Sequence, residues 1–387
     1  MKIPQDVTIL LTTLRQAGYQ AVVVGGAVRD YIRGVKPIDY DLATSAPPPV
    51  VIELFKSYSV FSVGLQHGTV IVRINHHHYE ITTFRKEASY QDYRHPSRVM
   101  FIDELHEDLS RRDFTINAMA YDDQLIDDFG GREDIKDGLI RAVGDPLSRF
   151  YEDPLRILRG LRFSCQFHYT IEPLTHQAMM DSFHLLSNIS RERIQIEFFK
   201  IIKADLSWVL EKYYMIFQFL FPGLRPEAVT RYLEVESKLP LDLSIHLACL
   251  FLDNSECEKD ILSLKTSKIQ TNHLLTVIGH YQRLTSLDYQ VLIDLFQELH
   301  GEDMYAICFL KDVLGELPGA RDVLDDLLKK PHLLRHLAID GHDLKELGLS
   351  SGPHLKDILC SCLVEVAKGN LTNQKNILLK YVEESLL

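Results

Sequence analysis

Asp39 and Asp41 stand two residues apart in GGAVRDYIRGVKPIDYDLA, residues 25–43, and are the side chains best placed to do chemistry. Alternate residues of a strand share a face, so a strand over Asp39–Ala43 projects both carboxylates into one space. Two carboxylates so close repel unless a cation lies between them, and oxygen-only ligation favours Mg²⁺. Upstream, the β-branched run Ala21–Val24 enters a Gly25-Gly26 turn, and a helix-like segment carrying Arg29 and Asp30 leaves it. A turn of that kind bares backbone N–H groups beside the carboxylates, which suits a polyphosphate. Strand, Gly-Gly turn, helix with arginine and strand with Asp-x-Asp together spell nucleotidyl transfer. Such chemistry uses two divalent ions to activate the attacking hydroxyl and to stabilise the leaving pyrophosphate. Glu80, on the predicted strand His78–Phe84, is the candidate third carboxylate; a solvated or salt-bridged strand residue is the alternative.

A second constellation lies in Tyr151–Arg162. Asp153 followed by Pro154 specifies a helix start. Asp153, Arg156, Arg159 and Arg162 step by three along one polar stripe, with Leu155, Leu158 and Leu161 on an apolar face. Three arginines in register repel, so a polyanion or nucleotide is expected there. Cytosine and adenine each present an amino donor beside a ring-nitrogen acceptor, whereas uracil and guanine reverse that pattern. A carboxylate beside a guanidinium, Asp153 with Arg156, therefore complements C and A and rejects U and G. In RRDFTINAMA, residues 111–120, Arg111 is the expected triphosphate or sugar contact.

The elements that must position these groups divide the chain in two. To about residue 140, strands are expected at Ala21–Val24, Asp39–Ala43, Gly68–Ile74, His78–Phe84, Ala118–Tyr121 and Leu125–Asp128, with a hairpin turn in residues 73–79. Beyond about residue 145, apolar residues recur at helical spacing, through Leu155, Leu158 and Leu161 and again at Ile194, Phe198, Ile201 and Ile202. The predicted fold is α+β: an α/β head followed by a long helical assembly. With 46% hydrophobic and 25% charged residues the composition is that of a soluble globular protein, and no apolar run suggests a membrane span or signal peptide. The six scattered cysteines lack a CxxC pair, as in a reduced, cytoplasmic protein. A net charge of −12 argues against a general nucleic-acid coat protein. His76-His77-His78 reads as part of a hairpin rather than a metal tract, His342-Asp343 lacks further ligands, and Cys360-x-Cys362 reads as core packing.

GGAVRD, DYDLAT, RRDFTINAMA and EDPLRILRGLRF resemble the motifs of the class II tRNA nucleotidyltransferase and poly(A) polymerase family. SRERIQIEFFKI and DLKELGLSSGPHLKDIL resemble the bacterial CCA-adding enzymes within it. The resemblance implies a polymerase β-like nucleotidyltransferase head (1–140), a helical neck with the nucleotide-selecting helix (141–205), a body (206–320) and a tRNA-binding tail (321–387). It implies addition of CCA to tRNA 3′ ends from CTP and ATP, with Mg²⁺ on Asp39 and Asp41. Gly26, Arg29 and Arg111 would contact the nucleotide, and Glu152, Asp153, Arg156, Arg159 and Arg162 would form the amino-acid template and its phosphate side. The segment Arg85–Phe101 matches the family's flexible loop, expected to govern the change from C to A addition. Alternatives of the same chemistry are a poly(A) polymerase or a CC- or A-adding enzyme; one of another class is a non-catalytic tRNA-binding protein. A homodimer is left open.

Overall fold

The computed structural model describes residues 1–62, 65, 68–87, 99–252 and 256–385. The chain divides into two compact units, Met1–Leu220 and Phe221–Leu387. In the first, helix α1 (Gln5–Gln16) buries Val7, Leu10, Leu11 and Leu14 on one stripe. Behind it lie strands β1 (Ala21–Val24), β2 (Asp41–Thr44), β3 (Ser59–Phe61), β4 (Thr69–Ile74) and β5 (His77–Thr83), with β6 (Arg85–Glu87) and β7 (Val99–Phe101) paired separately. Strands β8 (Ala120–Asp122) and β9 (Gln124–Ile126) complete a seven-stranded sheet in the order β3-β4-β5-β2-β1-β8-β9. Only β2 and β5 run parallel within it; the other neighbours are antiparallel. One core cluster joins Val22, Val24, Ala43, Phe84, Leu109 and Ala120. The hairpin between β4 and β5 turns at Asn75 and His76, both with positive φ (46° and 69°), as a tight two-residue hairpin requires.

The helices of this unit that matter to the site are α2 (Gly26–Ile32), α3 (Pro48–Leu54), α4 (Leu105–Ser110), α5 (Gly131–Asp137), α6 (Pro146–Glu152), α7 (Leu155–Phe167), α8 (Pro173–Ser182) and α9 (Arg191–Asp205). Helix α7 buries Leu155, Leu158 and Leu161, the apolar face expected of it, and α9 buries Ile194, Phe198, Ile201 and Ile202. The second unit is helical among its described residues, from Pro226–Val235 to Lys375–Ser385. Near its end Ile339, Leu344, Leu359, Cys362, Leu378 and Val382 share a core, and Cys360 and Cys362 are both buried on the helix His354–Lys368. All six cysteines are free. Asp343 pairs with Lys375 and belongs to a helix cap. No helix among the described residues is long and apolar enough to cross a membrane.

Several expectations shift. Asp39 lies before β2 rather than on it, because pairing with β1 begins only at Asp41. The edge strand β3 was not foreseen: Ser59 and Phe61 are exposed and Val60 half-buried, so no apolar run marks it. Strands do not end at residue 145: β10 (Leu139–Ile140) and β11 (Thr170–Ile171) form a short parallel pair. Two-residue strands carry no sequence period, and helix packing holds this pair. Of the loop Arg85–Phe101, residues 88–98, with Tyr90, Asp92, Arg94, His95 and Pro96, lie outside the described residues.

Candidate active site

Strand register gathers the motifs at one end of the sheet. Val24 pairs with Asp41 on one side and with Ala120 on the other, so GGAVRD stands between DYDLAT and the end of RRDFTINAMA. Gly25 N–H donates to Met119 O at 3.2 Å, tying the turn to that motif. Gly25 adopts φ 68°, which favours glycine, and a Cβ there would stand 3.2 Å from Arg112 Nη1, close enough to push that side chain. Leu42 pairs with Ile81, which puts Asp41 and Glu80, each one step earlier, level with one another on adjacent strands.

Around this point opens a cavity of about 660 Å³. Asp41 and Glu80 form its acidic wall. Gly25, Gly26, Arg29, Arg111, Arg112 and Asn117 line it beside the Gly-Gly turn; Asp153, between α6 and α7, and Arg156, Arg159, Arg162 and Phe163 of α7 line it from the other side. Two expected residues are not among its lining. Asp39 borders a second cavity with Lys36, Ile38 and His78, and Glu152 ends α6, paired with Arg149 (2.8 Å) and Arg156 (2.6 Å). Burial pushes the Asp41 carboxyl above the usual carboxylate range; the charges of Glu80 and Asp39 push it the same way, and Arg112 opposes them. The charged form of Asp41 is thus disfavoured, the condition that a bound cation relieves.

The arginines do not face solvent as a bare cationic stripe; the expected repulsion is met by acidic partners from other elements. Arg156, 8% exposed, donates to Glu152 Oε2 at 2.6 Å and to the carbonyls of Arg111 (3.0 Å) and Arg149 (3.1 Å). Arg159 donates through Nε to Asp113 Oδ2 at 2.8 Å, and Arg162 lies 2.9 Å from Glu197. Burial acts to raise Asp113, but Arg159, Asn117 Nδ2 and the Phe114 N–H hold its carboxyl down at about 2. Asp153 accepts from Leu155 N (3.1 Å) and Arg193 Nη2 (2.8 Å); it stands as the C-cap of α6 rather than capping α7, whose first residue is Leu155 and whose N-cap is Pro154, and it does not pair with Arg156. Arg29 bonds Asn117 Oδ1 (2.7 Å) and Asp30 (3.0 Å), with its guanidinium over Phe167. Arg111 and Arg112 share the buried Asp108, at 2.6 and 3.2 Å. Burial alone would raise that carboxyl, but the two arginines and the Arg85 N–H keep it below its usual value.

Sequence reasoning passed over Arg112, Asp113, Asn117, Arg193 and Glu197. Glu197 had a legible signal: it is a carboxylate on α9 next to Phe198 and between Ile194 and Ile201, and a buried carboxylate needs a cation. Arg193, one turn earlier, faces the same neighbour helix.

The family model for the poly A polymerase head domain matches residues 21–141. The model for an RNA and SrmB-binding site of polymerase A matches 168–227, and the tRNA nucleotidyltransferase domain 2 model matches 330–382. The CCA-adding enzyme of Lactobacillus helveticus is 36% identical over 392 residues, covering 97% of this chain and 96% of that protein. That of Streptococcus agalactiae is 35% identical over 408 residues, covering 98% and 96%. The Bacillus stearothermophilus CCA-adding enzyme, solved in complex with CTP, superposes with a TM-score of 0.74 at 28% identity, over 99% of this chain and 98% of that one. The Thermotoga maritima enzyme complexed with tRNA shares the fold, with a TM-score of 0.74 at 22% identity over 100% and 97%. The relatives match along nearly their whole length, and the head-domain model spans the residues gathered round the sheet end of the cavity: the chain belongs to the CCA-adding enzyme family and is a nucleotidyltransferase.

Proposed function

We propose that this enzyme adds CCA to the 3′ end of tRNA, taking CTP and ATP as substrates and choosing the base with protein side chains. The observation that carries the reading is the cavity itself, with carboxylates on one wall and arginines and Asp153 on the other. Asp41 and Glu80, with Asp39 beside them, offer only oxygen donors. Among the described residues no group of three or more His, Cys, Asp and Glu side chains could hold a metal by itself. Oxygen-only donors suit Mg²⁺, which is usually held by one or two carboxylates and completed by water and substrate phosphates. When bound, the ion would supply charge neutralisation for the attacking hydroxyl and the leaving pyrophosphate.

The residues of the chain do the rest. Arg29, Arg111 and Arg112 offer cationic donors beside the Gly25–Gly26 turn, where a triphosphate would lie. Asp153 retains acceptor capacity beyond its two bonds and takes the exocyclic amino group shared by cytosine and adenine; Arg156 takes the ring nitrogen. Arg159, Arg162 and Glu152 hold that wall in place. The acceptor 3′ oxygen bonds the α-phosphorus, the bond to the bridging oxygen breaks, pyrophosphate leaves, and the hydroxyl proton passes to solvent. In this reading residues 1–140 form the catalytic head and 141–205 the neck, while the body (206–320) and tail (321–387) hold the tRNA through shape and backbone. The test is incubation with tRNA lacking its 3′ end and each labelled nucleotide, with the product sequenced. Full CCA is expected. Addition of A alone, of CC alone or of long A tracts would favour the related enzymes, and no addition would leave a binding protein.

A further inference from the structure

Two phenylalanines stand between the arginine assigned to the triphosphate and the arginines that hold the base wall. Phe163 and Phe167 lie one helical turn apart on α7, so they share a face of that helix, and both are buried. Their rings run nearly parallel, with an interplanar angle of 7° and centroids 5.9 Å apart. Four guanidiniums converge on this pair. Arg29 of α2 lies 4.8 Å from the centre of the Phe167 ring and 5.6 Å from that of Phe163, and Arg33, at the end of α2, lies 4.1 Å from Phe167. On α7 itself Arg162 lies 4.2 Å from Phe163, and Arg159 lies 5.6 Å from it. Phe114 meets Phe163 edge to face at 5.9 Å and so fixes the ring that faces the cavity.

Plain apolar packing would not gather four cations, whereas the negative faces of two aromatic rings do. Each cation also keeps an acidic partner: Asp30 serves Arg29 (3.0 Å) and Arg33 (3.5 Å), Asp113 serves Arg159, and Glu197 serves Arg162. Asp30 stands on α2, Asp113 follows Arg112, and Glu197 stands on α9, so the rings are what these ion pairs have in common. Charge is felt across them. Burial acts to lower the pKa of Arg162, Glu197 and Asp113 oppose this, and Arg159 and Arg29 lower it further. A polyanion drawn to Arg29 would relieve that repulsion and settle the ring pair between the two sets of arginines. We infer that Phe163 and Phe167 are positioning residues that couple the phosphate side of the site to its base side, so that the base is read strictly only with a triphosphate in place. The inference rests on the function proposed above. The motif EDPLRILRGLRF stops at Phe163, so Phe167 lies beyond it, and Phe167 is not among the residues lining the cavity.

The test measures coupling, not activity. The full chain is titrated with CTP, UTP, CMP and UMP by equilibrium dialysis in Mg²⁺. In the wild type the preference for cytosine over uracil should be about five- to thirtyfold greater among the triphosphates than among the monophosphates, the worth of a desolvated cation–π contact. Phe163→Leu and Phe167→Leu keep apolar bulk but lose the aromatic face, and each should shrink that difference to within about twofold. Phe167→Tyr keeps the face and should preserve it. A ring that served packing alone would, when replaced, weaken all four ligands by a common factor and leave the difference in place. Trp208 fluorescence in urea checks that each variant folds. Equal cytosine preference for triphosphates and monophosphates in the wild type, or a difference that survives in both leucine variants, would overturn the coupling while leaving CCA addition standing. A wild-type protein that prefers neither base would remove the base reading and the coupling with it.

Discussion

Replacing Asp113 with asparagine keeps the shape of the side chain and removes its charge. Its carboxyl sits at about 2, against 3.8 for an ordinary aspartate. At about 1.36 kcal/mol per pH unit, that gap corresponds to about 2.5 kcal/mol of folding stability at neutral pH. Because the folded value is the lower one, the stabilisation is fully present above 3.8 and is lost as pH falls through about 2. The amide can still accept from Phe114 N or Asn117, but its NH₂ now confronts the Arg159 guanidinium, donor against donor. The assay is built into the chain: its single tryptophan, Trp208, donates from Nε1 to Ser164 Oγ on α7 at 3.1 Å and so reports on the unit that contains Asp113. Urea unfolding followed by that fluorescence should show Asp113→Asn about 2–3 kcal/mol less stable than wild type, equally at pH 8 and pH 5, with the gap narrowing towards pH 3. A gap under about 0.5 kcal/mol at pH 7, the size of an ordinary surface substitution, would refute the account of the Asp113–Arg159 pair. So would a gap that widens on acidification.

Asp39→Ala or Asp41→Ala should abolish nucleotide addition and leave tRNA binding nearly intact; near wild-type turnover in Mg²⁺ by either variant would remove these carboxylates from the metal site. Asp153→Ala or Arg156→Ala should admit UTP or GTP and weaken CTP and ATP, read by sequencing of the extended tRNA, and unchanged fidelity in both would show that the base is chosen elsewhere. Two glycines make a stability test. A Cβ on Gly131 would stand 2.2 Å from the Thr115 carbonyl oxygen, a backbone atom, whereas one on Gly160 meets the flexible end of Met179 at 2.4 Å and Phe114 at 2.9 Å. Gly131→Ala should therefore cost about 2–3 kcal/mol and Gly160→Ala about 1–2, measured by the same unfolding assay, and the reverse order would contradict the packing described.

The sheet was legible where burial and period agree. Ala21–Val24 is a run of four buried apolar residues and matches the observed strand at both ends. Asp39 misled because a two-residue alternation implies a strand only where a neighbour supplies hydrogen bonds, and β1 has no residue left to pair with it once Val24 has met Asp41. Its share in the site comes instead from charge reaching Asp41 along the loop. The carboxylate pair Asp41–Glu80 depended on the parallel register of strands far apart in the chain, which no local spacing encodes. Helix α7 was legible for the opposite reason: the Asp153-Pro154 break and the i, i+3 steps are local, and the helix starts directly after that break at Leu155.

The partners of that helix were not local, and they change how the site works. Read alone, three arginines in register imply that an incoming anion must quench their repulsion. In the folded chain the quenching is already done: Glu152 takes Arg156, Asp113 takes Arg159, Glu197 takes Arg162, and Arg193 from α9 takes Asp153. An arginine side chain carries about 2 kcal/mol of rotamer entropy. Left mobile, three of them would lose much of that when a nucleotide arrives, and affinity and discrimination would suffer alike. Held by carboxylates on three different elements, they lose it on folding, so under the proposed function a nucleotide would meet a wall already in position. A rigid wall is also what discrimination needs. A base presenting the wrong edge must leave buried polar groups unpaired, at roughly 1–3 kcal/mol each, and it does so only if the wall cannot move to meet it. Under the proposed function, loosening one anchor of that wall, as in Asp113→Asn, should therefore cost fidelity as well as stability, although Asp113 is not one of the two side chains assigned to the base.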